Sequence, residues 1–143
     1  MEKLLVSACL LGCACRYDGK SCSDERVLAL KDRYELIPVC PEQLGGLPTP
    51  RCPAERRNGG VYMKTGEDVT AQYARGAAQA LYLARTLGAQ KAVLKAKSPS
   101  CGKGLIYDGS FTGAKVPGDG VTAALLAEHG IAVFTEDETA PLQ

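Results

Sequence analysis

The chain has 143 residues, with seven cysteines, one histidine and no tryptophan. Its 17 basic and 16 acidic residues leave a formal net charge of +1 beside 45% apolar residues, which excludes a disordered chain and gives no global basic footprint for nucleic acid. That length predicts one compact domain over residues 1–143, with a core of its own, and the alternation of strand and helix signals along it makes the expected class α/β.

Residues 3–8 are a short apolar run, expected as the first strand. Residues 23–33 are expected as a helix, because an acidic first turn and a basic last turn complement the helix dipole. Tyr34–Val39 is the second expected strand. Residues 70–86 form a long Ala-rich helix, with Ala74, Ala77, Leu81 and Ala84 at helical spacing and Gly88 as its stop. Residues 91–96 are the third strand. Asp119 is expected to cap a last helix through residues 121–126, closed by Gly130, before a fourth strand at 131–134. Strands separated by helices imply crossover connections and a mainly parallel sheet. Apolar strands suit burial on both faces. The expectation is a three-layer domain of Rossmann-like or flavodoxin-like order, with four or five strands.

Two segments break this rhythm. Residues 41–68 carry four prolines and five glycines, and residues 101–118 are glycine-rich. Long loops inside compact domains are usually functional. Both begin near strand ends, where parallel sheets bind ligands. Tyr17-Asp18-Gly19 and Tyr107-Asp108-Gly109 read as tight turns, the second inside an expected hairpin of 105–107 with 110–112.

No apolar run approaches the ~18 residues of a membrane span, and the Met1-Glu2-Lys3-Leu4-Leu5-Val6 start is too short for a signal peptide. The expected compartment is the cytoplasm, where disulfides are rare. Seven thiols there point to metal or catalysis. Cys9, Cys40 and Cys101 each follow a predicted strand, at spacings of 31 and 61. A parallel sheet brings all three to one edge. Three thiolates leave one position open, either on a catalytic zinc or on an iron–sulfur cluster, which normally takes four. All-thiolate donors and the lack of a usable histidine favour the cluster. Cys9, Cys13 and Cys15 nearly match the radical-SAM spacing and miss it at Arg16. Cys15 is expected beside the site, and Cys13, Cys22 and Cys52 are expected to be incidental.

Other chemistry-bearing residues cluster nearby in sequence. Glu42, two residues after Cys40, is a candidate proton shuttle. Ser98 and Ser100 precede Cys101 and are candidate hydrogen-bonding or catalytic hydroxyls. Lys97, Lys103 within Gly102-Lys103-Gly104, Arg16 and Arg51 are candidate contacts to an anionic substrate. His129, at the end of the last helix, reads as structural.

Several motifs together resemble the DUF523 family: Ser7-Ala8-Cys9-Leu10-Leu11-Gly12, Cys15-Arg16-Tyr17-Asp18-Gly19, Cys40-Pro41-Glu42, Leu44-Gly45-Gly46-Leu47-Pro48-Thr49-Pro50-Arg51, Leu94-Lys95, Ser98-Pro99-Ser100-Cys101-Gly102 and Ile106-Tyr107-Asp108-Gly109. The resemblance runs in order along nearly the whole chain. It implies a thiouracil desulfidase with a [4Fe-4S] cluster on three cysteines and one open iron. It further implies that Cys9, Cys40 and Cys101 are the ligands and that Glu42 and Ser98 serve catalysis. The expected substrate is a thiolated uracil base or nucleotide, such as 2-thiouracil, 4-thiouracil or 4-thiouridine monophosphate, released as the oxo base and sulfide. Near-neutral charge makes tRNA the less favoured substrate, no membrane partner is expected, and the chain is expected to be a monomer or homodimer. The alternatives are a sulfur-transfer or tRNA thio-modification protein using the same cluster, and a zinc-stabilised binding module.

Overall fold

The computed structural model describes residues 1–143. Strand β1 (Glu2–Ser7) leads through a 3-10 turn (Ala8–Leu11), the short helix α1 (Glu25–Leu28) and a second 3-10 turn (Ala29–Asp32) into β2 (Tyr34–Val39). There follow α2 (Pro41–Leu44), β3 (Ala54–Arg57), β4 (Gly60–Met63), α3 (Thr70–Leu87) and β5 (Lys91–Leu94). The chain continues with β6 (Leu105–Tyr107), β7 (Lys115–Pro117), α4 (Val121–Glu128) and β8 (Ala132–Thr135).

Four strands form one parallel sheet in the order β2-β1-β5-β8. Within that sheet the chain order reads 2-1-3-4, the flavodoxin-like arrangement, and its direction reverses between β1 and β5. Side chains alternate between the two faces. Leu5, Val39, Ala92 and Leu94 pack with Ala80, Leu81 and Ala84 of α3 and with Ala123 and Leu126 of α4. Leu4, Val6, Tyr34 and Val93 pack on the other face with Val27, Leu30 and Leu142. Both faces are covered, so the predicted three-layer parallel architecture is the one observed.

The expected local elements differ in four places. The helix expected over 23–33 is one α turn continued as a 3-10 turn. Asp24 caps it by accepting the Arg26 amide at 2.9 Å, and the turn tightens at its C-terminal end as short helices often do. Asp119 does not cap α4. Its carboxylate accepts the Gly104 amide at 2.8 Å, and Gly120 occupies the cap position, where a Cβ would lie 2.4 Å from the Ser100 carbonyl oxygen. Strand β6 pairs with β7 rather than with 110–112, because Asp108 accepts the Ser110 amide and folds 108–114 into a longer loop. The proline-rich segment is also not one loop: it holds α2 and the hairpin β3–β4.

Candidate functional site

The carboxyl ends of β1, β2 and β5 open on a cavity of about 480 Å³. Cys9, Cys40 and Cys101 all line it, as does Cys15. Cys9 sits in the 3-10 turn that follows β1, and Gly12 closes that turn at φ 104°. Cys40 directly follows β2 and starts α2, with its side chain left out of capping. Its thiol lies 3.7 Å from the Cys15 carbonyl oxygen. Cys101 is set by Ser98, whose Oγ accepts the amides of Ser100 and Cys101, each at 3.1 Å. Gly102 and Gly120 let this loop press onto α4: a Cβ at Gly102 would meet the Ser98 carbonyl oxygen at 2.6 Å.

Ser7 ties the first and third cysteine strands together. Its hydroxyl accepts the Lys95 amide at 3.0 Å and donates to Cys101 Sγ at 3.3 Å. Burial pushes the Cys101 thiol up, and the Ser7 bond acts against that. Burial also pushes Cys9 up to about 12, with Cys22 and Cys40 adding to it and Lys95 and Arg16 opposing it. These thiols keep their protons, and a metal or cluster held on them would have to displace those protons. Lys95 pairs with the buried Glu136 at 3.0 Å. Burial lowers the Lys95 value, but the Glu136 partner outweighs it and holds the ammonium above its ordinary range.

Glu42 also lines the cavity. Its Oε2 accepts Arg51 Nε at 3.0 Å and the Tyr73 hydroxyl at 2.8 Å. Oε1 has no protein partner and is not buried. Burial, then the Glu42 charge, pushes the Tyr73 phenol far up, so it stays a donor. Burial works against the Arg51 charge, and Glu42 overrides it. Helix α2 reaches this position because Gly45 and Gly76 let it touch α3 backbone to backbone. A Cβ at Gly45 would lie 2.0 Å from the Gln72 carbonyl oxygen, and one at Gly76 only 1.8 Å from that of Pro41.

Of the residues singled out in the sequence, Cys9, Cys40, Cys101, Glu42, Ser98, Lys97, Arg16 and Arg51 come together around the cavity. Ser100 and Lys103 do not line it. Ser100 is buried with its hydroxyl on Thr122 at 2.8 Å, and the Lys103 ammonium pairs with Glu138 at 3.1 Å. Arg51 faces the cavity but its donors go to Glu42, Thr49 and the carbonyls of Pro48 and Cys15. Cys13 is exposed, and Cys13, Cys22 and Cys52 lie outside the cavity lining. Tyr73 and Glu136 escaped the sequence reading, and Ser7 and Lys95 entered it only as members of the family motifs, with no role of their own. Tyr73 follows the buried face of α3 and carries the pattern of a core residue, so no signal marked its hydroxyl.

No helix is long and apolar enough to cross a membrane. A solved structure described as a [4Fe-4S]-dependent thiouracil desulfidase, TudS, superposes with a TM-score of 0.91 at 50% identity, covering 99% of this chain and 94% of that one. The uncharacterized protein YbbK of Bacillus subtilis (strain 168) is 44% identical over 145 residues, which is 94% of this chain and 96% of the relative. A family model described as 2-thiouracil desulfurase matches residues 4–138. With strand-end cysteines, cavity and similarity all spanning the same residues, the chain belongs to the 2-thiouracil desulfurase family.

Proposed function

We propose that this protein is a cluster-dependent desulfidase that converts a thiolated uracil base or nucleotide into the oxo base and hydrogen sulfide. The observation that carries the reading is that Cys9, Cys40 and Cys101, in the segments that follow three adjacent parallel strands, line one cavity that also holds Glu42. Thiols line the cavity and no histidine does, a soft donor set that suits an iron–sulfur cluster better than a catalytic zinc with mixed ligands. When bound, a [4Fe-4S] cluster on those three thiols supplies an iron without a protein ligand, a Lewis acid for the exocyclic sulfur.

The protein's own groups supply the proton chemistry. Arg51 and Tyr73 occupy one Glu42 oxygen and leave Oε1 to accept a proton from water. That water adds to the ring carbon bearing sulfur. Ser98 accepts two amides, so its hydroxyl proton is free to donate to the oxygen forming there. One water is consumed, C=S becomes C=O, and hydrogen sulfide leaves with no net electron transfer. Lys97 and Arg16, which also pairs with Asp18 at 3.7 Å, line the cavity and serve in this reading as contacts to a phosphate on a nucleotide substrate, while Arg51 acts as a positioning residue. Free thiols at all seven cysteines suit a reducing cytoplasm.

The test is anaerobic reconstitution, iron and sulfide analysis, and assay with 2-thiouracil, 4-thiouracil and 4-thiouridine monophosphate. The expected result is about four irons per chain in the wild type, loss of iron in Cys9→Ala, Cys40→Ala and Cys101→Ala, and retention in Cys13→Ala and Cys22→Ala. An intact cluster with no sulfide release from any of the three substrates overturns the desulfidase reading. A colourless zinc protein overturns the cluster.

A further inference from the structure

Four aromatic residues line the thiol cavity: Tyr17, Tyr73, Tyr107 and Phe111. Tyr73 is engaged through its hydroxyl with Glu42. Phe111 has no polar atom and sits half-buried, yet it belongs to none of the three apolar clusters of the core. The only other phenylalanine, Phe134, packs against one of them. A large apolar ring kept out of the core and on a cavity wall suggests a ligand contact.

The backbone under Phe111 strengthens this. Three non-glycine residues have positive φ: Asn58 at 50°, Lys97 at 69° and Phe111 at 57°. Asn58 precedes Gly59, at 79°, in the tight turn between β3 and β4, where turn chemistry accounts for it. The other two both line the cavity. A bulky residue in the left-handed region persists only when its surroundings hold it there. Glu55 supplies that hold. Its Oε1 accepts the amides of Gly109 at 3.0 Å and Phe111 at 3.2 Å. Gly109, at φ 95°, fits the close approach: a Cβ there would meet the Arg56 carbonyl oxygen at 2.9 Å. The carboxylate thus fastens the 108–114 loop to β3 and fixes where the ring stands.

We propose that Phe111 is the substrate-ring contact of this site, stacking on the planar heteroaromatic ring, and that Glu55 is its positioning residue. The proposal rests on the desulfidase reading only in taking a pyrimidine as the ring. Stacking of a base on an aromatic side chain is sequence-tolerant and strong enough that its removal weakens binding about 10- to 100-fold.

The experiment uses anaerobically loaded protein, with 2-thiouracil turnover, calorimetric binding of uracil, iron content and thermal melting read in parallel. Asparagine tolerates the left-handed region, so Phe111→Asn relieves backbone strain while deleting the ring. The expected result is an equal or higher melting temperature, unchanged iron, and KM for 2-thiouracil and Kd for uracil raised about 10- to 100-fold, with kcat moving less than KM. Glu55→Ala reproduces the loss, and Glu55→Gln, which keeps an oxygen acceptor, recovers most of it. A lower melting temperature with unchanged KM and Kd overturns the proposal and makes the ring structural. Wild-type protein that binds uracil through Phe111 but releases no sulfide overturns the desulfidase reading and leaves this one standing. Wild-type protein that binds no pyrimidine overturns both.

Discussion

Gly76→Ala tests how the fold seats its second cysteine. Glycine in a helix interior costs about 1 kcal/mol relative to alanine, so this change in an isolated helix would stabilise α3 by that amount. Here the added Cβ would stand 1.8 Å from the Pro41 carbonyl oxygen and 2.7 Å from its carbon, both backbone atoms of α2. Helix α2 must retreat by roughly an ångström, and overpacking of this kind costs about 1–3 kcal/mol. The overpacking wins, and the net loss is up to about 2 kcal/mol, or a fall of up to about 8 °C in melting temperature. The retreat carries Cys40 on one side of Pro41 and Glu42 on the other. A displacement of that size at a reacting group costs on the order of 100-fold in rate. The assays are thermal melting, iron per chain after anaerobic loading, and sulfide release. Gly45→Ala should behave alike, since its Cβ would meet the Gln72 carbonyl oxygen at 2.0 Å. A Gly76→Ala protein that melts higher than the wild type and keeps full iron and activity refutes the reasoning.

Tyr73→Phe removes one of the two donors to Glu42 Oε2 and leaves the Arg51 bond; kcat for sulfide release should fall about 10-fold, and the lost bond should cost about 1–2 kcal/mol in thermal unfolding. Ser7→Ala strips the acceptor from the Lys95 amide and the donor from Cys101. It should cost about 1–3 kcal/mol in denaturant unfolding and speed iron loss to a chelator. The metal-free protein should unfold in alkali. Burial raises Cys9 from 9.0 to about 12, so the unfolded chain sheds that proton first. Stability is intact below pH 9 and falls as the pH climbs toward 12, by about 4 kcal/mol from Cys9 alone. A metal-free unfolding midpoint that is flat from pH 8 to about 11 would contradict the burial of that thiol.

The parts legible in the sequence share one property: they are fixed by position along the chain. Apolar runs separated by helices define a parallel sheet, and a parallel sheet sends every strand end to the same edge. Cys9 and Cys40 therefore meet at that edge by topology, and Cys101, seven residues beyond β5, joins them through the loop that Ser98 holds. The same reasoning brings Glu42 and Ser98 with them, because each lies within three residues of a cysteine. The sequence leaves strand order open, and the observed β2-β1-β5-β8 order adds the crevice between β1 and β5, which Ser7 bridges.

What the sequence hid are roles assigned by partners rather than by place. Arg51 reads as a free cation for an anionic substrate, yet its guanidinium is used to hold Glu42 and the chain at Cys15. Ser100 sits beside Ser98 and points instead to Thr122. Tyr73 reads as core because α3 does bury it, and the same burial keeps its hydroxyl a donor to Glu42. Gly45 and Gly76 lie 31 residues apart and are meaningful only as a pair in contact. In each case the deciding fact is a contact between distant segments, which no local spacing encodes. Topology thus brings Cys9 and Cys40 to one sheet edge, and the loop held by Ser98 adds Cys101 to the site. The shell that sharpens it, made of Arg51, Tyr73, Ser7 and the paired glycines, is where substitutions should change rate while leaving the fold in place.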